Sequence, residues 1–288
     1  MNLKTSTYSS EIQFLSLEEN HWGKCLTDSL LFLKMSWSSN WLGLDKVILL
    51  IINFLHKQKK NQIKASSQAQ LMLEIAKHLA LLIEQEARIN PERVDHPYHN
   101  RLHFAQVMVS VAIQCMIESR TVPDSQLEWV SCLLLCAAGH DYKHTGSVNQ
   151  KPQEIELLSV ESMTPIFLKF GLSDQWQNNV KEIVLNTDVL TSRSVHSRVK
   201  DSLFNWNTDW ASVLLIESDN MASCHPLLGP DLSQDLSKEW MKLDSPPDRN
   251  VATVEGRQKY LKGVIFTSLS SQKLGIKEFI SQQLMPVA

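Results

Sequence analysis

The sequence has little of what membrane-spanning, exported or nucleic-acid-binding proteins require. Its most apolar run, residues 47–55, has nine residues, whereas a membrane-spanning helix needs about 20. The first 40 residues lack the basic start and long apolar core of a signal peptide. A net charge of -3 argues against a basic surface for nucleic acid. We therefore expect a cytoplasmic protein that binds no nucleic acid.

Cysteine is also scarce, and its pattern argues against a disulfide framework. The five cysteines are odd in number, and three of them lie in apolar, helix-like segments where cysteine behaves as a small hydrophobe. We expect them to be reduced, as in a cytoplasmic protein. Cys132 and Cys136 are one helical turn apart, but they lack the second ligand pair that a thiolate metal site needs.

Strand patterns are missing as well, because β-branched residues never alternate with polar ones for long. Apolar residues recur at helical spacing instead, as in residues 66–89. Among the later helices we predict one at residues 254–270, and residues 225–252 are typical of a long loop around a short helix at 234–243. The sequence predicts an all-α fold, with residues 1–65 as an N-terminal helical extension of unknown role and residues 66–288 as the main domain.

Residues 41–64 combine an apolar segment with four lysines near its end. Such a combination is compatible with contact between the protein and an anionic membrane surface. A core helix whose basic exit is solvated has the same pattern, and this is the interpretation that we favour.

Histidine is concentrated in two short blocks, HPYHNRLH at residues 96–103 and HDYKH at residues 140–144. On a helix, His99 and His103 point the same way because they are four residues apart. The pair His140-Asp141 follows an apolar segment that would carry it into the interior. Burying both groups is costly unless a partner such as a divalent cation is present. The blocks therefore predict a metal centre.

An HD dyad after an apolar helix, with a spaced histidine pair before it and aspartates far downstream, resembles the HD superfamily of metal-dependent phosphohydrolases. The blocks resemble more closely the class I catalytic domain of cyclic nucleotide phosphodiesterases, across roughly residues 90–284. The matching residues are Pro97-Tyr98-His99-Asn100 with His103, and His140-Asp141 with His144, Gly146 and Asn149. The resemblance implies a compact, multi-helix HD-type domain.

The resemblance also implies two divalent metals, Zn²⁺ at the first site and Mg²⁺ or Mn²⁺ at the second. His103, His140 and Asp141 match three ligands of the first metal, and Asp219 is the best match for the fourth. Glu217 stays an alternative because it lies two residues from Asp219. In this family a hydroxide bridging the metals attacks phosphorus.

Further residues take roles from the resemblance. His99 matches the general acid that protonates the departing 3'-oxygen, and Asp141 would contact both metals. His144 matches the second catalytic histidine, Glu161 the acid that holds metal-bound water, and Asp188 an acid of the metal pocket. For the substrate, Tyr98 matches a contact residue. Gln258 matches the glutamine that hydrogen-bonds the purine, with Gln272 as an alternative.

Three departures identify a divergent member. Leu261 stands where the family has a phenylalanine that stacks on the base, Lys143 where many members have aspartate, and Thr145 where they have proline. The loss of a stacking ring would cost roughly 1 kcal/mol of aromatic contact. A lysine near two cations is unfavourable unless it points to solvent or meets substrate phosphate.

We therefore predict a phosphodiesterase that hydrolyses cAMP, cGMP or both to the 5'-monophosphate. Two alternatives stay open: an HD-type phosphohydrolase that acts on another nucleotide, and an inactive nucleotide-binding or scaffold protein. The presence of His99 together with all the expected ligands argues against the inactive protein.

Overall fold

The structure, a computed structural model, describes residues 21–58, 66–120, 128–244, 247 and 250–285. In these residues there are 13 α-helices and no strand, which confirms the predicted all-α fold. The helices are α1 (Trp22–Ser39), α2 (Leu44–Gln58), α3 (Ser67–Ile89), α4 (Arg101–Glu118), α5 (Glu128–Gly139), α6 (Glu154–Phe170), α7 (Asp174–Leu185), α8 (Val189–Val199), α9 (Thr208–Cys224), α10 (Gly229–Trp240), α11 (Val254–Gly263), α12 (Leu269–Lys273) and α13 (Ile276–Leu284).

Three of these helices, α4, α5 and α9, form the centre of the molecule. Every residue of α4 from Leu102 to Glu118 is buried, as is every residue of α5 from Val130 to Gly139. Helix α9 is buried from Trp210 to Ser218. A helix that is apolar around most of its circumference must be covered on all sides, and the other helices surround these three.

The first two helices share this core. Leu30 of α1 and Ile48 of α2 belong to the same hydrophobic cluster as Leu79 of α3 and Met108 of α4. None of the helices in the described part of the chain is long and apolar enough to cross a membrane. The segment for which we considered membrane-surface contact contributes its apolar residues to the core through α2, and its residues 59–64 lie outside the described part.

Side-chain caps fix the start of several helices, and the cap of α4 concerns the histidine blocks directly. Asn100 Oδ1 accepts a hydrogen bond from the backbone N–H of His103 at 3.1 Å. Such a cap is worth about 1 kcal/mol. It also sets the point at which α4 begins, and therefore the direction in which His103 leaves the helix.

Two segments differ from the sequence prediction. The helix predicted at 254–270 ends at Gly263, because the N–H groups of Thr267 and Ser268 donate to the buried carboxylate of Glu217 at 2.5 and 2.9 Å. An amide that donates to this side chain is not available to a continuous helix. The short helix predicted at 234–243 begins earlier, at Gly229. Pro230 lies in its first turn, where the missing N–H of proline removes no intrahelical hydrogen bond.

Replacing Gly229 with alanine is expected to destabilise the fold. The added Cβ would overlap the carbonyl oxygen of Ser223 and the guanidinium of Arg257. Overpacking of this kind costs about 1–3 kcal/mol, so thermal denaturation followed by circular dichroism should show a lower Tm. Gly263→Ala is the matched control, since nothing lies within 4 Å of its Cβ position. Equal Tm values for the two variants would contradict the prediction.

Candidate active site

The two histidine blocks meet Asp219 at one end of the three central helices. His103 is on the first turn of α4, His140 and Asp141 follow the last residue of α5, and Asp219 is near the end of α9. Each helix packs through its apolar residues and brings its few polar groups to this end. From His103 Nε2, the distances are 3.4 Å to His140 Nε2, 3.3 Å to Asp141 Oδ2 and 3.0 Å to Asp219 Oδ1, and from His140 Nε2 they are 3.2 Å to Asp141 Oδ2 and 3.8 Å to Asp219 Oδ1.

These four side chains fit a divalent metal ion. Ligand atoms about 2.1 Å from a tetrahedral ion lie about 3.4 Å from one another. His103, His140 and Asp141 bring their ligand atoms together at such distances, and Asp219 Oδ1 lies 3.0 and 3.8 Å from the two histidines. His140 Nδ1 donates to the carbonyl oxygen of Ala137 at 3.1 Å, which leaves Nε2 as the ligating atom. The histidines are buried, whereas the two aspartates are partly exposed. Solvent therefore reaches the cluster from the carboxylate side.

The charges of the four groups compensate one another. Burial alone would lower the pKa of His103, but hydrogen bonds to Asp141 and Asp219 raise it to about 9. The same two carboxylates raise the pKa of His140 well above its ordinary value despite burial. Burial would raise the pKa of Asp141, yet its histidine partners hold it well below the usual range, and that of Asp219 is lowered in the same way. Such a cluster can exchange its protons for a metal cation.

A second pair lies beside this cluster and contains the candidate general acid. Glu239 of α10 accepts hydrogen bonds from the backbone N–H groups of Tyr98 and His99, at 2.8 and 3.0 Å, and faces His99 Nδ1 at 2.5 Å. Although burial would raise the pKa of Glu239, its contacts with His99 lower it to about 2. An ionised carboxylate has only acceptors, so Nδ1 of His99 is the donor and Nε2 faces away from Glu239.

His144 lies against the ring of His99, with ring centroids 3.8 Å apart in a stacked arrangement. Its Nδ1 accepts a hydrogen bond from the N–H of Gly146 at 2.9 Å, so its proton is on Nε2. Burial and the charge of His99 lower the pKa of His144 to about 3. His144 is therefore a neutral hydrogen-bond donor near pH 7. Its imidazole and Asp141 line a small cleft together with His99 and Phe104.

Of the remaining predicted residues on this side, some contact the site and others do not. Tyr98 is part of the site, because its ring lies 5.1 Å from that of His103 and its hydroxyl hydrogen-bonds Ser223 Oγ at 2.9 Å. Asp188 is buried, caps α8 and accepts from the N–H of Gln153 at 2.7 Å. Glu161 is exposed on α6, and no described contact joins it to the cluster.

Another acid of α6, Glu156, faces the site instead. The side chain of Asn149 donates to Glu156 at 2.9 Å. Burial raises the pKa of Glu156, and the charges of Asp188 and Asp141 add to the increase. An acid of α6 therefore lies near the site, but it is Glu156, which is five residues before Glu161 in the sequence.

The predicted base-binding residues lie outside the cluster. Gln258 is half-buried on α11, Leu261 of the same helix is buried in the hydrophobic core, and Gln272 is exposed on α12. The α11 side chain that faces the ligands is Tyr260, whose hydroxyl donates to Asn220 Oδ1 at 2.8 Å. Burial raises the pKa of Tyr260 well above its ordinary value, and the charge of Asp219 contributes to the shift.

Lys143 does not bring its charge to the ligand cluster. Its backbone is in the left-handed region, with φ of 69°, and its ammonium lies 2.5 Å from Glu86 Oε1. The side chain is partly exposed. The lysine is therefore paired with Glu86 at the rim of the cleft that His99 and His144 also line.

Three residues near the ligands were not predicted from the sequence: Glu156, Glu239 and Tyr260. None belongs to a short motif, since each reaches the site through the packing of its helix. Glu239 lies in the short helix predicted at 234–243, inside the long loop expected at residues 225–252, and no role was assigned to it there. The choice between Asp219 and Glu217 needed coordinates, which direct Glu217 to the backbone of residues 267–268.

Comparison with known proteins identifies the fold. No family model matches the chain, and no curated protein matches it. Among solved structures, LmjPDEB1 in complex with IBMX is similar with a TM-score of 0.59 at 14% identity, over 88% of this chain and 87% of that one. The phosphodiesterase domain of the RhoPDE fusion protein from the choanoflagellate Salpingoeca rosetta is similar with a TM-score of 0.57 at 15% identity, over 96% of this chain and 94% of that one. The chain therefore has the fold of phosphodiesterase catalytic domains.

Proposed function

We propose that the protein is a metal-dependent phosphodiesterase that hydrolyses 3',5'-cyclic nucleotides to 5'-monophosphates. The observation that carries this proposal is the meeting of two units at one end of the central helices. One is the cluster of His103, His140, Asp141 and Asp219, and the other is the pair of His99 and Glu239. A metal cluster of this kind occurs in many proteins. A histidine that is held by a carboxylate beside the cluster is suited to protonating a poor leaving group in phosphoester cleavage.

The four ligands would hold the first ion, and Asp141 has a second carboxylate oxygen with which it can contact another. Divalent ions at such a site activate water and neutralise charge on the phosphoryl oxygens. Zn²⁺ suits the two imidazoles and two carboxylates of the first position. Mg²⁺ or Mn²⁺, which accept carboxylate and water ligands, suits the second.

His99 would donate the proton that the departing 3'-oxygen needs. Its Nδ1–H is held by ionised Glu239, which orients the ring. Nε2 is then the proton-donating atom. His144, neutral and protonated on Nε2, would hydrogen-bond the phosphate without adding charge. Asp188 and Glu156 would orient water and ligands from the opposite side, as acids outside the ligand set commonly do.

One observation favours a second candidate, a phosphohydrolase that acts on another nucleotide. Leu261, which stands where a base-stacking ring is expected, is only 2% exposed and belongs to the hydrophobic core. Base recognition in this chain must therefore differ from stacking at that position. LmjPDEB1 binds the small molecule IBMX, which supports a small-molecule pocket in this fold under either candidate.

The test of the proposed function is hydrolysis of cAMP and cGMP by the purified protein with Mg²⁺ or Mn²⁺, with and without prior chelation. We expect release of the 5'-monophosphate, loss of activity on chelation, and recovery when metal is returned. A panel of other nucleotides is assayed in parallel. Turnover of another nucleotide but of neither cyclic substrate would favour the second candidate. No turnover of any of them, in a protein that retains metal, would overturn both.

A further inference from the structure

The segment that contains His99 is closed by an ion pair between its two ends. Arg101, the first residue of α4, donates from Nε to Asp95 Oδ1 at 3.0 Å and from Nη2 to Asp95 Oδ2 at 2.7 Å. The backbone N–H of Arg101 also donates to Asp95 Oδ1, at 3.3 Å. Residues 96–100 lie between these partners, so the pair brackets Tyr98, His99 and the cap residue of α4. A forked pair of this geometry fixes direction as well as distance.

Arg101 is held in turn by a carboxylate of the neighbouring helix. Its Nη1 donates to Glu84 Oε2 of α3 at 2.6 Å. The side chain of Glu84 is 2% exposed and that of Arg101 is 15% exposed. The guanidinium of Arg101 thus lies between two carboxylates. Each of these poorly exposed groups needs its partner, because an unpaired buried charge is strongly unfavourable.

The other oxygen of Glu84 is occupied by the connection between α1 and α2. Glu84 Oε1 accepts from the indole N–H of Trp41 at 2.8 Å and from the backbone N–H of Leu44 at 2.7 Å. The ring of Trp37, at the end of α1, lies 5.4 Å from the guanidinium carbon of Arg101 and packs edge-on against Trp41. A chain of contacts thus runs from residues 37–44, through Glu84 and Arg101, to the segment that contains His99.

We propose that Glu84 and Arg101 are positioning residues for His99, and that the α1–α2 connection serves the candidate active site by holding Glu84. The proposal rests on the function proposed above. Glu239 holds the middle of segment 95–101 and the Arg101 pair holds its ends, so the ring of His99 is fixed only when both are in place. Helices α1 and α2 would then have a role in catalysis, because the connection between them holds Glu84.

The test separates proton donation from general loss of structure by using two substrates. The alkoxide released from cAMP needs a proton, whereas p-nitrophenolate, released from the p-nitrophenyl ester of thymidine 5'-monophosphate, is stable without one. In Glu84→Gln and Arg101→Lys we expect kcat for cAMP to fall at least about tenfold, a part of what a general acid contributes. The KM for cAMP and turnover of the nitrophenyl ester should change by less than about twofold.

Val199→Ala is the matched control, because Val199 is buried in a separate hydrophobic cluster of α8 and α9. It should be less stable than wild type but should keep the wild-type ratio of the two activities. Trp41→Phe removes one donor to Glu84 and should move the ratio in the same direction as Glu84→Gln. Equal losses on both substrates in Glu84→Gln would overturn the positioning role. A wild-type ratio in Trp41→Phe would overturn the role of the α1–α2 connection.

A second readout does not depend on turnover. The proton between His99 Nδ1 and Glu239 should give a downfield imidazole resonance in the proton NMR spectrum, absent from a His99→Ala spectrum. Its shift or loss in Glu84→Gln, but not in Val199→Ala, would support the proposal. An unchanged resonance would overturn it. If wild-type protein hydrolyses neither substrate, the proposed function fails, and this spectrum, recorded also for Arg101→Lys, still decides whether Glu84 and Arg101 position His99.

Discussion

Replacing His99 with alanine is expected to lower kcat for a cyclic nucleotide by about 10²–10⁴-fold, the usual contribution of a general acid. Metal content should stay close to wild type, because His99 is not among the four proposed ligands. Thermal stability should fall, because the buried carboxylate of Glu239 loses its imidazole partner. Steady-state kinetics, metal analysis and thermal denaturation of the same preparation measure these quantities.

His78→Ala is the control for this variant. His78 is a histidine of α3 whose ring contacts Phe170, outside the candidate site, so its loss should leave kcat unchanged. Glu239→Gln should fall between wild type and His99→Ala, since glutamine keeps an acceptor for Nδ1 and removes the charge. Wild-type kcat in His99→Ala would show that another group protonates the leaving oxygen.

Replacing Asp219 with asparagine is expected to remove most of the bound metal and to lower activity by at least about 100-fold. Loss of an outer-shell partner already costs 10- to 100-fold in metal affinity or activity, and Asp219 contacts both histidines of the cluster directly. Metal content after dialysis and kcat/KM of the dialysed protein, before Mn²⁺ is added, measure the effect. Added metal should restore part of the activity.

Glu217→Gln, two residues away, is the matched control. Glu217 accepts from the backbone N–H groups of residues 267 and 268, and burial raises its pKa to about 7. A glutamine in the same place keeps an acceptor for those amides. Metal content should therefore be retained in this variant and lost in Asp219→Asn. The reverse result would assign the fourth ligand to Glu217.

The sequence was most informative where the site is local in the chain. His99, His103, His140 and Asp141 lie in two short blocks of the sequence, so they could be proposed from the sequence alone. The expected helical pairing of His99 with His103 was wrong, because His99 precedes α4 and only His103 is on that helix. Asp219 could be proposed only together with Glu217, because both end the same apolar stretch. Which of the two faces the histidines depends on how α9 is rotated about its axis relative to α4 and α5. A single sequence does not specify that rotation.

Other features depend on tertiary contacts and had no sequence signal of comparable strength. Glu239 is 140 residues from His99 in the chain, and only the packing of α10 brings them together. The helix predicted at 254–270 is interrupted because a buried carboxylate of α9 takes its amides. Glu161 was assigned by resemblance to a motif, and whether it or Glu156 serves the site stays a prediction.

The burial of the central helices has a consequence for how the protein opens. Local unfolding requires least free energy where few apolar groups are buried. Helices α10 and α11, which contain Glu239 and Tyr260, bury only a minority of their residues, whereas α4 and α5 are buried almost throughout. Fluctuations that detach the outer helices therefore leave the four-ligand cluster assembled. The pair of His99 and Glu239 and the cluster of His103, His140, Asp141 and Asp219 therefore belong to parts of the molecule with different opening free energies. If the proposed function holds, catalysis can be interrupted while the metal ligands stay assembled.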